Sequence, residues 1–430
     1  MKQIYIPVLL LIMLIASLPM WAENQQEKTE DEKYTLQFYG FVRNDLAYES
    51  RRTIAGVGEL FSFMPYDQNI SANGYDQNAI ASTRFLAVAT RIGMNFESPL
   101  YKNGLRISAK IEGDFSGGDS YTLIRLRQAN TKFNWNNKHI LLAGQTWHPF
   151  CDILPDIISL NAGAPFNAFT RAPQVRYDIN LKPITLSAAA VYQLQHTSSG
   201  YDGATNSYQV YGGLPEFYIG AKTKIENFDI ALGGEFMRLA PRYYALDAAG
   251  EAYKVNEYVN SWAGQFSVGY SSKYFDFKAK SILGQNLGHL FMMSGYGVSG
   301  SYTNENGFTE YEYTPIAQSS SWMSIACKTA NPTHNFVGTL FAGYIKNLGA
   351  SKDIIGDAFY RGASNYDQIF RVSPMGSYKF KELQIGLEYE YTGVMYGDLM
   401  PNYTVENTYL VGAHRVTAII VYNFNFEIKK

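Results

Sequence analysis

The chain has 430 residues, a formal net charge of −2 and two cysteines. Charged residues make up 17% and aromatics 15%, with 34 tyrosines, 26 phenylalanines and 37 glycines; a soluble domain carries roughly 25% charge, so this composition excludes a disordered chain and a charged helical one. The balanced charge leaves no basic footprint for nucleic acid, and two cysteines without CxxC spacing exclude a disulfide scaffold or a thiolate zinc site.

Lys2 precedes an uncharged run from Ile4 to Ile15, and Leu18-Pro19-Met20-Trp21-Ala22 follows. A positive n-region, an apolar h-region and a small residue predict a signal peptide over 1–22, cleaved after Ala22. The run is short of the ~20 residues a spanning helix needs. Residues 23–34 read as a short polar leader, and 35–430 as one domain.

From there a two-residue period governs the chain. Leu105, Ile107, Ala109, Ile111 and Phe115 share one face, while Arg106, Ser108, Lys110, Glu112 and Asp114 share the other. Alternation of this kind makes strands with one apolar and one polar face. About sixteen are predicted, with cores at 36–48, 84–97, 104–115, 121–135, 139–148, 172–179, 184–195 and 216–225. Eight more follow at 228–238, 257–270, 274–284, 319–328, 334–346, 367–380, 383–392 and 409–426. In the fourth, Arg125 and Arg127 share parity with Phe133 and Trp135, so a bulge must switch the faces between them.

Connections alternate between short (98–104, 136–138, 180–183, 226–227, 271–273, 329–333, 381–382) and long (49–83, 149–171, 285–318, 393–408), with 116–120 a brief exception. An antiparallel meander with short turns on one rim and long loops on the other is the plan of an outer-membrane barrel. In hydrocarbon every backbone N–H and C=O must be paired, which only helices and closed barrels achieve. The expected fold is therefore all-β: a single transmembrane antiparallel barrel, short turns periplasmic and long loops extracellular. Its apolar face meets lipid, its charged face lines the lumen, and sixteen strands leave an aqueous channel. Phe96, Tyr270, Phe275, Tyr378, Phe380 and Tyr422 fit interfacial aromatic girdles. The final strand puts Val416, Ala418, Ile420, Tyr422, Phe424 and Phe426 on one face, a terminal aromatic strand suited to the barrel-assembly machinery.

Leu141-Leu-Ala-Gly-Gln-Thr-Trp-His-Pro-Phe150 and Asn161-Ala-Gly-Ala-Pro-Phe-Asn-Ala-Phe-Thr-Arg-Ala-Pro-Gln-Val-Arg-Tyr177 resemble the fifth strand, constriction loop and sixth strand of DcaP-like porins of the Bacteroidetes type. Phe341–Gly349, Leu387–Thr392 and His414-Arg415 resemble late strands of that family. The resemblance implies a trimeric, sixteen-stranded porin. The long N-terminal coiled coil of the family's namesakes has no counterpart in the short leader.

The loop about 149–171 follows the fifth strand, where general porins fold a loop inward. Its expected constriction residues are Pro149, Phe150, Asp152, Asp156, Asn161, Pro165 and Phe166. Parity places Arg91, Arg106, Lys110, Arg125, Arg127, Arg171, Arg176, Arg371 and Arg415 on the lumen wall, and rings of Arg and Lys favour anions. Lumen carboxylates include Asp45, Glu112, Asp114, Glu235, Glu388 and Glu390. The six histidines show no HExxH or paired metal spacing, and no GxSxG elbow or phosphate loop occurs, so no enzyme, metal or cofactor is expected. The leading expectation is a passive porin in the Gram-negative outer membrane for small hydrophilic, anionic solutes, its partners being membrane lipid and those solutes. A substrate-specific channel, or a plugged adhesive or structural barrel with long binding loops, stays open as an alternative. Cys151 near the loop rim and Cys327 near the turn rim are expected as free thiols, because a disulfide needs Cα atoms within about 7 Å.

Overall fold

The computed structural model describes residues 33–117, 123–328 and 335–429. The expected signal peptide, nearly all of the leader, the turn at 329–333 and part of the 116–120 connection lie outside the described residues. Sixteen antiparallel strands form the barrel wall. They are Thr35–Glu49, a second strand in two pieces (Ser82–Leu86 and Arg91–Glu97), Leu105–Asp114, Arg125–Trp135, His139–Trp147, Arg171–Asn180, Ile184–Val191 and Glu216–Ile225. Phe228–Leu239, Val259–Ser271, Phe275–Gln285, Thr309–Lys328, Phe336–Ala350, Tyr366–Phe380, Leu383–Leu399 and Val405–Lys429 complete the series. First and last strands pair from Thr35 opposite Lys429 to Glu49 opposite Arg415, which closes the sheet on itself.

Alternation sorts the side chains as lipid and water would require. Along the first strand Phe38, Val42, Leu46 and Tyr48 are exposed, while Arg43, Asp45, Ala47 and Glu49 turn inward and are buried. Outward Ile219, Leu232, Phe266, Leu340, Leu387 and Ile420 continue an apolar belt, and Phe96, Phe275, Tyr378, Phe380 and Tyr422 are exposed near the turn rim. No helix among the described residues is long and apolar enough to cross a membrane. The fourth strand carries its bulge: Glu112 pairs with Gln128 and Gly113 with Leu126, so Arg127 is the extra residue and both Arg127 and Gln128 turn inward.

Several long connections are shorter than the alternation implies. The fifteenth strand runs on to Leu399 and the sixteenth starts at Val405, so the 393–408 connection shrinks to residues 400–404. Val394 and Tyr396 sit on the inner face there, fully buried under loops, so inner and outer faces are both apolar and the period vanishes. Likewise the 285–318 connection contains a strand, Ser294–Thr303, hydrogen-bonded to the loop-rim extension of the twelfth barrel strand. Cys151 is buried and Cys327 exposed, and both are free thiols.

The main apolar core lies inside the barrel. Phe61, Phe63 and Met64 of a hairpin in the first loop, Ala164, Phe166 and Phe169 of the loop after the fifth strand, and Phe291 and Met293 pack together there. They rest on Trp322, Phe341, Ile345, Tyr366, Ile369, Val394 and Tyr396, which belong to the twelfth to fifteenth strands. That half of the lumen is dry.

Candidate pore and inward loops

Between Trp147 and Arg171 the chain leaves the wall, makes a short 3-10 turn at Pro149–Cys151 and crosses the barrel interior. Its proline, glycine and asparagine content forbids a strand, so its backbone groups must find partners elsewhere. The lumen wall supplies them. Asp152 accepts from Lys280 (2.7 Å) and from Ser267 (2.6 Å), and Lys280 also donates to the Phe150 carbonyl. Asp156 pairs with Lys278 at 2.6 Å. On the opposite side the amides of Ile158 and Ser159 donate to Glu388 Oε2 at 3.0 and 2.7 Å, and Asn161 donates to Glu390 at 2.9 Å. Arg43 donates to the Ile158 carbonyl, and Ser320 to that of Phe166. Pro149, Phe150, Pro155, Asn161 and Phe166 are all buried, whereas Asp152 is exposed and borders open space and Asp156 is half-buried. Pro165, between buried Ala164 and Phe166, follows a cis peptide bond.

A second loop folds inward beside it, which the sequence reading missed. The hairpin Thr53–Gly56 with Phe61–Pro65 hangs from two buried arginines. Arg371 donates to the carbonyls of Ser62 (2.9 Å), Phe63 (2.8 Å) and Ala164 (3.2 Å), and to Thr392 (2.8 Å). Arg415 donates to the Leu60 carbonyl at 2.8 Å and pairs with Glu49 at 2.5 Å. Both were expected on the pore wall. Both point inward and are no more buried than Arg171 and Arg127, but they border neither open cavity and lie under the loops. They tie loops to wall instead of facing water.

What stays open lies on either side of the crossing loop. Toward the first six strands a cavity of about 340 Å³ is lined by Arg43, Arg91, Arg125, Arg127, Arg171 and Asp114, with Trp147 and loop residues 154–162 opposite. Arg127 bridges Glu112 (2.8 Å) and Asp114 (2.7 Å), Arg125 holds Asp114 (2.7 Å), and Arg43 holds Asp45 (2.6 Å). Arg91 stands 3.9 Å from Glu112. Five guanidinium groups therefore share three carboxylates. Arg171 has no carboxylate within ion-pair distance among the described residues. It stacks on Trp147 with its guanidinium carbon 3.6 Å from the ring centroid and donates to Gln195, while Nε and Nη2 have no hydrogen-bond partner. Such stacking stabilises a cation without neutralising it.

The other expected bases fall elsewhere. Lys110 lies on the same wall over Tyr39, 3.9 Å from Glu112, and Arg106 pairs with Glu97 near the turn rim. Arg176 is 3.3 Å from Asp178 and borders a larger cavity of about 910 Å³, lined by the sixth to eleventh strands, where Lys222, Lys224 and Lys278 alternate with Asp152, Asp178, Asp229 and Asp276.

A closed sixteen-strand barrel with an apolar belt, short turns on one rim and charged space inside is the fold of outer-membrane porins. No family model and no curated protein matches the sequence. Among solved structures, the outer-membrane channel DcaP of Acinetobacter baumannii aligns over 93% of this chain and 100% of its own, at 18% identity and a TM-score of 0.62. A trimer form of OmpT, an outer-membrane protein of Vibrio cholerae, covers 91% and 99% at 12% identity and 0.55. The anion-selective porin from Comamonas acidovorans covers 91% and 100% at 10% identity and 0.52. At these identities the likeness is one of fold.

Proposed function

We propose that the protein is an outer-membrane diffusion channel for small hydrophilic solutes, and that it favours anions. The observation that carries this reading is Arg171: a buried guanidinium without a carboxylate partner among the described residues, on a wall where five arginines share three acids. An unneutralised charge in a narrow, low-dielectric passage raises the local concentration of the opposite ion. In this reading residues 149–171 set the size limit, and Arg43, Arg91, Arg125, Arg127 and Arg171 set the sign. Arg106, Lys110 and Arg176 add weaker field at the approaches. The selectivity in the name of the Comamonas porin and the trimer form of OmpT support carrying both properties over as proposals. Outer-membrane lipid and the barrel-assembly machinery are then its partners during biogenesis.

The test is the zero-current potential across a planar bilayer in a salt gradient. Anion preference is expected at low salt and should fade as the Debye length falls from about 30 Å at 0.01 M to about 3 Å at 1 M. A cation-selective wild type would overturn the charge assignment, and absence of conductance would overturn the channel.

A further inference from the structure

Four titratable side chains from four distant segments converge beneath the loops: His148 at the root of the crossing loop, Glu216 and Glu235 on the eighth and ninth strands, and His289 in the 3-10 turn Leu287–Leu290. Their side chains are only 1–2% exposed. Donor atoms of His148, Glu216 and Glu235 lie within 4.8 Å of one another. His289 Nε2 is 3.3 Å from Glu216 Oε2 and 3.4 Å from Glu235 Oε1.

Hydrogen bonds orient both rings. His148 Nδ1 accepts from the Phe150 amide at 3.1 Å, so its proton sits on Nε2 and is donated to Glu216 Oε1. His289 Nδ1 donates to the Asn286 carbonyl at 3.3 Å, and its Nε2 faces both carboxylates. A backbone carbonyl on Nδ1 is the usual outer partner of a metal-bound histidine. His289 Nε2, Glu216 Oε2 and Glu235 Oε2 have no hydrogen-bond partner, and among the described residues no lysine or arginine pairs with either carboxylate. Two buried carboxylates share the one imidazole between them, and a metal ion held there would offset the charge that burial makes costly. The carboxylate donors of Glu216 and Glu235 lie within 4.8 Å of each other, and the His289 distances suit a small tetrahedral ion. Tetrahedral zinc with arms of about 2.0–2.1 Å separates its donors by about 3.3–3.4 Å, matching the two His289 distances.

We propose that Glu216, Glu235 and His289 bind a divalent transition-metal ion of the zinc type, with His148 as a positioning residue that orients Glu216. The ion fastens the turn carrying Phe291 to the barrel wall, and so steadies the aromatic cluster of Phe61, Phe63, Phe169 and Phe291 against which both inward loops pack.

The probe is zinc on the folded, detergent-solubilised full chain, stripped with chelator and dialysed against micromolar free zinc. One zinc per chain is expected by elemental analysis, falling to background in the isosteric E216Q/E235Q double variant. His148→Ala should bind about 10–100-fold more weakly. Cobalt substitution of the wild type, which needs no variant to fold, should give the strong visible bands of a tetrahedral site. No zinc uptake by the wild type, uptake unchanged in the double variant, or only weak octahedral cobalt bands would overturn the site. The readout is metal content, not conductance, so failure here leaves the channel reading standing.

Discussion

Two walls of one barrel carry the same residue types to opposite ends. On the wall of the first six strands, Arg91, Arg125, Arg127 and Arg171 border open space and share too few acids. On the wall of the last three strands, Arg371, Arg415, Glu388 and Glu390 are as inward-facing, yet both loops settle on them: Arg371, Arg415 and Glu388 bond loop backbone, and Glu390 accepts from the Asn161 side chain. One wall lines open space with its charge, and the other converts it into loop anchorage. The difference is set by what covers the wall, since strand geometry aims both sets alike.

The comparison breaks most visibly at Arg371. Arg371→Ala strips donors from three loop carbonyls and leaves Glu390 facing a cavity, and removing one partner of a buried pair costs about 3–5 kcal/mol. Denaturant midpoints should drop accordingly, and single-channel conductance should rise as the loops loosen; an unchanged midpoint would mean the dry wall is not an anchor. Arg171→Glu addresses the wet wall. It should move the reversal potential toward cations at low salt, and lower the denaturant midpoint as well, because a fully buried side chain gives up its stack on Trp147 and its bond to Gln195; an unchanged reversal potential would overturn the assignment.

Gly343 sharpens the contrast on a smaller scale. Phe166 of the crossing loop lies on its bare backbone, and a Cβ there would sit 2.5 Å from the ring. Gly343→Val should displace Phe166 at about 1–3 kcal/mol of overpacking and broaden the conductance steps without altering ion preference. The smallest effect concerns Cys151. Burial pushes its thiol up to about 11, against weaker opposing pulls from the Thr170 backbone, Lys280 and Arg171. Thiolate is the reactive form, so with exposed Cys327 replaced by Ser, maleimide labelling of Cys151 should stay slow at pH 8 and accelerate only toward pH 11. Fast labelling at pH 8 would show that the loop root opens.

Sixteen strands were legible because inside and outside differ in polarity at every second residue. Even the Arg127 bulge was legible, since without it the arginines and Phe133 would share a face. The reading failed where that contrast fails. Val394 and Tyr396 are apolar inner residues under apolar loops, so the extension of the fifteenth strand left no period. Inside a loop no period exists, and nothing in Leu60-Phe-Ser-Phe-Met64 announces that this hairpin turns into the lumen. Parity reports which way Arg371 and Arg415 point but not what lies on top of them. The histidine–glutamate cluster was equally hidden, because its members stand at 148, 216, 235 and 289 and meet only when the sheet curls.

The closing seam carries a consequence for how such a chain comes to exist. Glu49 and Arg415 are 366 residues apart in sequence, and their ion pair sits where the first and last strands meet. Bringing the two ends of so long a segment together costs about 5 kcal/mol of chain entropy before any bond forms, and until then both outermost strands are naked edges that invite aggregation. The barrel cannot be zipped progressively as it is synthesised. Its two ends must be held apart from other chains until the last twenty-five residues, Val405–Lys429, are delivered to the first strand, and a truncation within them would leave fifteen strands with nothing to close against.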